Sequence, residues 1–200
     1  MRGEGGFGGL VVVPSFVSFP IILFFGGFPP ITGVDMMLLA LRALTHLMEV
    51  LPASCNAINS AGAIPIFVAR VLTFEYIDLA ENAIQALEKI SYEHPTAVLT
   101  NGGLGAVLPR MGFFSLSLQR VCLTIAANIC RNMTPDNFEL LREALPTLTS
   151  ILNYDDKKML ETACLCFSRL TEVMVEHEDH LTTVRDGWIG FVVFSVSSDG

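Results

Sequence analysis

The sequence predicts an all-α fold, a right-handed α-solenoid of about three and a half repeats with irregular apolar ends, and three observations carry that reading. The segments AENAIQALEKI (Ala80 to Ile90), LQRVCLTIAANI (Leu118 to Ile129) and LETACLCFSRL (Leu160 to Leu170) superpose in phase. Ala83, Cys122 and Ala163 then share one position, Leu87, Ala126 and Phe167 a second, and Ile90, Ile129 and Leu170 a third, at spacings of 39 and 41 residues. A matching opener precedes each segment: GAIP at Gly62 to Pro65, GGLG at Gly102 to Gly105, and EALP at Glu143 to Pro146. Between about Asp35 and Arg185 apolar residues also recur at helical spacing, and 52% hydrophobic residues in 200 are enough to bury a core. A fixed period argues for a stacked array over a generic helical bundle, and a wholly helical period near 40 is the size of armadillo and HEAT units.

Taken in order, residues 1–34 are an irregular Gly/Pro/apolar segment with no charge between Glu4 and Asp35. Its run Leu10 to Phe25 has 16 residues and is interrupted by Pro14 and Pro20, short of the roughly 20 that span a bilayer. Membrane association is therefore not expected. Residues 35–60 form a partial unit whose LRALTHLMEV (Leu41 to Val50) fits a last helix. The full units are placed at 61–100, 101–141 and 142–183, within an armadillo-repeat domain of 35–185. In the first of them Gly62 turns the chain and Pro65 lies in the first helical turn, where amides lack intrahelical partners and a missing N–H costs nothing. Ile64, Phe67, Val68, Val71 and Leu72 make one apolar face, and a turn near Glu75 to Asp78 opens a long third helix. Residues 186–200, GWIGFVVFSVSSDG from Gly187 onward, turn to a β-branched, aromatic run and form a non-repeat tail.

Charge and residue chemistry remove several functions. A net charge of −8 leaves no basic stripe to neutralise phosphates, so direct nucleic-acid binding is not expected. The five cysteines sit unevenly in apolar helical text, unlike a secreted disulfide framework, and a reducing compartment suits them. Cys164 and Cys166 are about 200° apart around a helix axis and do not grip one ion from one face. Cys122 and Cys166 read as compact hydrophobes, whereas Cys55 sits in the loop text ASCN. His177 and His180, beside Glu176, Glu178 and Asp179, have a spacing that permits a weak metal site; a solvated acidic helix end is the ordinary reading. NGGLG follows no strand and is an inter-helix turn. No catalytic residue, metal or cofactor is expected.

The surface left for recognition is the concave ladder made by the third helices. One rung line is Gln85, Thr124 and Leu165; one turn on come Lys89, Asn128 and Arg169, with Glu49 extending the second line. Lys89 and Arg169 beside an amide suit a peptide backbone or acidic groups, or are simply solvated helix residues. Nuclear-import armadillo proteins carry a tryptophan and asparagine pair at these positions; Asn128 fits, but no tryptophan precedes it, and Trp188 lies outside the repeats.

SAGAIPIFVARVLTFEYIDLAENAIQALEKIS, with ALRALTHLMEVLP before it and LTIAANIC and ALPTLTSILNYDDKKMLETACLCFSRL after it, resembles the N-terminal armadillo region of HECT-type E3 ubiquitin ligases of the ubiquitin-fusion-degradation class, over roughly Leu41 to Thr183. The resemblance implies a non-catalytic scaffold that recognises a protein substrate or ubiquitin-bearing partner, in nucleus and cytoplasm. It matches nothing of the HECT domain or its cysteine nucleophile, so the chain alone is expected to be inactive. The other reading is a free-standing armadillo adaptor that binds a partner peptide without any role in ubiquitin transfer.

Overall fold

The computed structural model describes residues 33–73 and 75–186, and among them there are only helices and turns. The expectations for residues 1–32, for the tail after 186 and for Trp188 lie outside the described residues.

Four long helices form the frame. They are α1 (Gly33–Val50), α4 (Ile77–Glu93), α7 (Leu116–Arg131) and α10 (Lys157–Met174). Each packs on the next in chain order, α1 on α4, α4 on α7 and α7 on α10. Short helices fill the other side in pairs: α2 (Ser54–Ser60) with α3 (Ile64–Leu72), α5 (Pro95–Thr100) with α6 (Gly103–Val107), and α8 (Phe138–Arg142) with α9 (Leu145–Ile151). A 3-10 segment, Leu108–Phe113, completes the second pair, and a last helix, α11, covers 178–186. The triple of short, medium and long helix recurs three times, the arrangement of an armadillo solenoid. Among the described residues no single helix is long and apolar enough to cross a membrane.

The openers act as the spacing predicts. Pro65 and Pro146 both occupy the first turn of the second helix in their triples, α3 and α9. Gly62 and Gly102 take left-handed backbone angles, φ 72° and 77°, which turn the chain between first and second helix without a Cβ penalty. The third opener has no glycine; Glu143 and Ala144 remain right-handed and the Ala144 amide donates to the Leu141 carbonyl at 2.7 Å. The three openers thus fall between the first and second helix of each triple.

The core follows the repeat phase. Ala83, Cys122 and Ala163 are fully buried, as are Leu87, Ala126 and Phe167, and Ile90, Ile129 and Leu170. Small residues at the first position let the long helices approach, while Leu, Ile and Phe fill the space against the short pairs. Burying one such large side chain contributes about 1.5–3 kcal/mol before ordering costs, and the buried set is continuous from Leu41 to Val184.

Candidate partner-binding ladder

The long helices carry the six ladder residues, and the structure distinguishes two lines. Gln85 and Leu165 are exposed and Thr124 is half-buried, its hydroxyl donating to the Arg120 carbonyl at 3.0 Å. This first line is accessible to solvent, in part at Thr124. The second line, Lys89, Asn128 and Arg169, is engaged: each side chain reaches back to the preceding long helix. Lys89 Nζ lies 3.6 Å from Glu49 on α1 and 3.1 Å from Glu88. Asn128 Nδ2 donates to Ser91 Oγ on α4 at 3.0 Å, and Ser91 in turn donates to the Glu88 carbonyl at 2.7 Å. Arg169 donates to the Ala127 carbonyl on α7. Burial works against the Lys89 ammonium, but the carboxylates of Glu88 and Glu49 outweigh it and hold the group above its ordinary value.

Asn128 is only 9% exposed, so its amide nitrogen is taken by Ser91 rather than turned to solvent. The second line is thus a row of rivets between repeats. A further rivet, not singled out from sequence, lies one turn along: Arg131 donates to the Tyr92 carbonyl at 2.7 Å and places its guanidinium 4.8 Å from the Tyr92 ring centre. Tyr92 and Arg131 are 39 residues apart, and that period in the sequence pairs them.

Glu49 meets Lys89, yet it does not hold the ladder position itself. On α1 the buried residues Leu41, Leu44 and Met48 correspond to Ile84, Leu87 and Ser91, a spacing of 43 residues. His46 therefore stands at the Lys89 position, Arg42 at the Gln85 position and Glu49 at the Tyr92 position. Superposing LRALTHLMEV on IQALEKISYE without a gap finds this register.

At the other edge, Arg120 on α7 donates to both carboxylate oxygens of Asp156, at 2.6 and 3.4 Å. Asp156 also caps α10 by accepting from the Met159 amide at 2.9 Å. The Arg120 hydrogen bond first, and the Met159 amide second, hold the Asp156 carboxyl below its usual range.

The described residues hold little that would do chemistry. Burial raises the Cys122 thiol to about 12, and burial with Glu93 raises Cys55. Cys55 belongs to α2 and is buried, where ASCN reads from sequence as a loop. Cys130 and Cys166 face each other across α7 and α10, which pushes Cys130 up further. A thiol held neutral is a poor nucleophile. His180 stacks on Phe138 of α8 with ring centres 4.4 Å apart, and the exposed His177 lies 5.8 Å from His180.

Comparison with known proteins agrees with this geometry. A family described as "E3 ubiquitin-protein ligase TRIP12-like, TPR repeats" matches residues 31–100. The E3 ubiquitin-protein ligase UPL3 of Arabidopsis thaliana is 51% identical over 147 residues, 74% of this chain and 8% of that protein. The E3 ubiquitin-protein ligase TRIP12 of Danio rerio is 44% identical over 147 residues, 74% of this chain and 7% of that protein. The chain thus spans less than a tenth of the length of these relatives. Among solved structures, a designed armadillo repeat protein in complex with the peptide (KR)4 superposes with a TM-score of 0.64 at 14% identity, covering 88% of this chain and 82% of that one. Its likeness bears on the fold alone. The family description says TPR, a two-helix unit of about 34 residues, whereas the helices here come in triples at spacings of 39 and 41. With its armadillo triples and its identity to UPL3 and TRIP12 across them, this chain carries the N-terminal repeat region of the TRIP12/UPL-like HECT E3 ubiquitin-ligase family.

Proposed function

We propose that the repeats serve as a non-catalytic scaffold that recognises a substrate or ubiquitin-bearing partner for a HECT-type ligase of the ubiquitin-fusion-degradation class. The supporting observation is the open first line: Gln85, Thr124 and Leu165 lie on successive long helices, and the second line beside them is stiffened by bonds to the preceding helix. A rigid wall next to an open line lowers the ordering cost of binding an extended segment. Activity of the whole ligase in the nucleus and cytoplasm belongs to the same proposal; the repeat chain itself forms no thioester. After incubation with charged conjugating enzyme, a reducible ubiquitin adduct on any of the five cysteines would contradict it.

Binding is tested with a linear ubiquitin fusion whose ubiquitin cannot be cleaved, immobilised for interferometry. The 200-residue chain is expected to bind, Gln85→Ala with Leu165→Glu to weaken binding about tenfold or more, and Tyr154→Glu, at an exposed position in the turn before α10, to leave it unchanged. Absence of binding, or equal loss in both variants, refutes the reading for this ladder. The adaptor reading, in which the ladder binds a partner peptide without any ubiquitin transfer, calls instead for affinity to a free peptide. Asn128 stands where a backbone-binding asparagine is expected, but its commitment to Ser91 weighs against that mode.

A further inference from the structure

A hydroxyl group set out for chemical modification lies in the turn between the second and third triples. There α7 ends at Arg131, and Pro135–Asn137 makes a single 3-10 turn that leads into α8. Thr134 stands just before that turn with an extended backbone, φ −124° and ψ 156°, and is exposed. The following proline explains the backbone, because its ring disfavours the helical region for the residue before it. Hydroxyls within the helices are tied down: those of Thr124, Thr149, Thr162 and Thr171 each donate to the carbonyl four residues back. Thr134 makes no such bond. Its Oγ1 accepts from Asn137 Nδ2 at 3.0 Å, and among the described residues its own proton meets no acceptor. Thr73 and Ser115, the other aliphatic hydroxyl residues outside helices among the described residues, are engaged, Thr73 with the Ala69 carbonyl at 2.8 Å and Ser115 with Ser117 Oγ at 3.0 Å.

We propose that Thr134 is a phosphorylation site for a proline-directed serine/threonine protein kinase acting on the folded repeats. Such a kinase takes an extended segment whose residue after the hydroxyl has no amide hydrogen to satisfy, and Thr134 with Pro135 meets both demands. It is the only serine or threonine followed by proline in the 200-residue sequence. In the transfer, Oγ1 attacks the γ-phosphorus of ATP, the bond to the bridging oxygen of the β-phosphate breaks, ADP leaves, and the hydroxyl proton passes to the catalytic aspartate of the kinase. The product carries a charge of about −1.5 to −2. That charge falls three residues after Arg131, whose guanidinium joins α7 to the Tyr92 carbonyl of α4, and two residues before the like-charged Asp136. Modification therefore places new charge beside a bond between two repeats, and it requires no partner in the ladder.

The test incubates the full 200-residue chain with a mitogen-activated protein kinase, magnesium and ATP, and maps phosphate by peptide mass spectrometry. One phosphate is expected, on Thr134. Its initial rate is expected within about tenfold of that for a synthetic peptide of residues 128–139, because a site reached only by unfolding would lag by about 10³-fold or more. Thr134→Ala abolishes incorporation and Thr134→Ser retains it. Pro135→Ala keeps the hydroxyl but restores the amide hydrogen and frees the backbone of Thr134, so the rate drops about tenfold or more while the circular dichroism spectrum is unchanged. No phosphate on the folded chain, a greater lag behind the peptide, incorporation that survives in Thr134→Ala, or a Pro135→Ala chain modified as fast as wild type would each overturn the inference.

Discussion

The rivet at Asn128 separates two roles for the second ladder line, and its energetics follow from the geometry. Ser91 is fully buried and Asn128 is 9% exposed, so neither group recovers water when its partner is removed. Asn128→Ala deletes the Nδ2 donor, but the Ser91 hydroxyl keeps its own acceptor, the Glu88 carbonyl at 2.7 Å. The loss is then close to one net hydrogen bond plus a small cavity, about 1–2 kcal/mol. Ser91→Ala is worse for its size, because it strands a buried amide nitrogen, at about 1–3 kcal/mol. The double variant is expected to cost about 1 kcal/mol less than the sum of the two. For a chain of this length each kcal/mol lowers Tm by about 2–4 °C. Urea unfolding of the four proteins, followed by circular dichroism, measures the cycle. A Ser91→Ala chain as stable as wild type, with coupling below about 0.3 kcal/mol, would refute the rivet and return Asn128 to the pool of free groove residues.

Other predictions address different parts of the structure. Gly103→Ala would place a Cβ 2.5 Å from Val98 Cγ1 and 2.8 Å from the Val98 carbonyl oxygen, so it costs about 1–3 kcal/mol, whereas Gly105→Ala meets nothing within 4 Å and stabilises α6 by about 0.5–1 kcal/mol; thermal melts that move together contradict the close approach. Leu170→Ala at the buried repeat position costs about 2–5 kcal/mol, while Leu165→Ala, at 43% exposure on the ladder, changes stability by less than about 0.5 kcal/mol by denaturant titration. Because the Asp156 carboxyl is held below its ordinary value, its contribution is present above the unfolded value near pH 4 and is lost as pH falls through the lower folded value. Asp156→Asn flattens that part of the acid unfolding curve, and an unchanged curve rejects the pairing. A thiol reagent at mildly alkaline pH is expected to modify half-buried Cys164 first and the other four only as the chain opens, so early labelling of Cys122 in a mass-resolved time course contradicts its burial.

How far the sequence reaches is clearest in particular residues. The triple Ile90, Ile129 and Leu170 was legible because helical packing demands an apolar side chain at one phase of every unit, and a period of 39 and 41 residues exposes that demand directly. Pro65 and Pro146 were legible for a related reason: proline tolerates few backbone settings, so its recurrence marks a helix start. The register of α1 was harder. Glu49 and His46 compete for one ladder position in the partial unit, and the burial of Leu41, Leu44 and Met48 agrees with the ungapped superposition on α4 in choosing His46. Cys55 shows the same limit, since ASCN has loop composition and is helical because the triple supplies its packing partners.

The sequence by itself determined the repeat and the phase of the core, and it proposed six ladder positions, since all of these depend on spacing along one helix. Only the tertiary structure decided which of those six are open and which are bonded across to a neighbour. Lys89, Asn128 and Arg169 have the composition of solvated ladder residues, and their partners Glu49, Ser91 and the Ala127 carbonyl lie about one repeat away in the chain. A hydrogen bond is set by distance and angle in space, and those quantities exist only once the long helices are stacked.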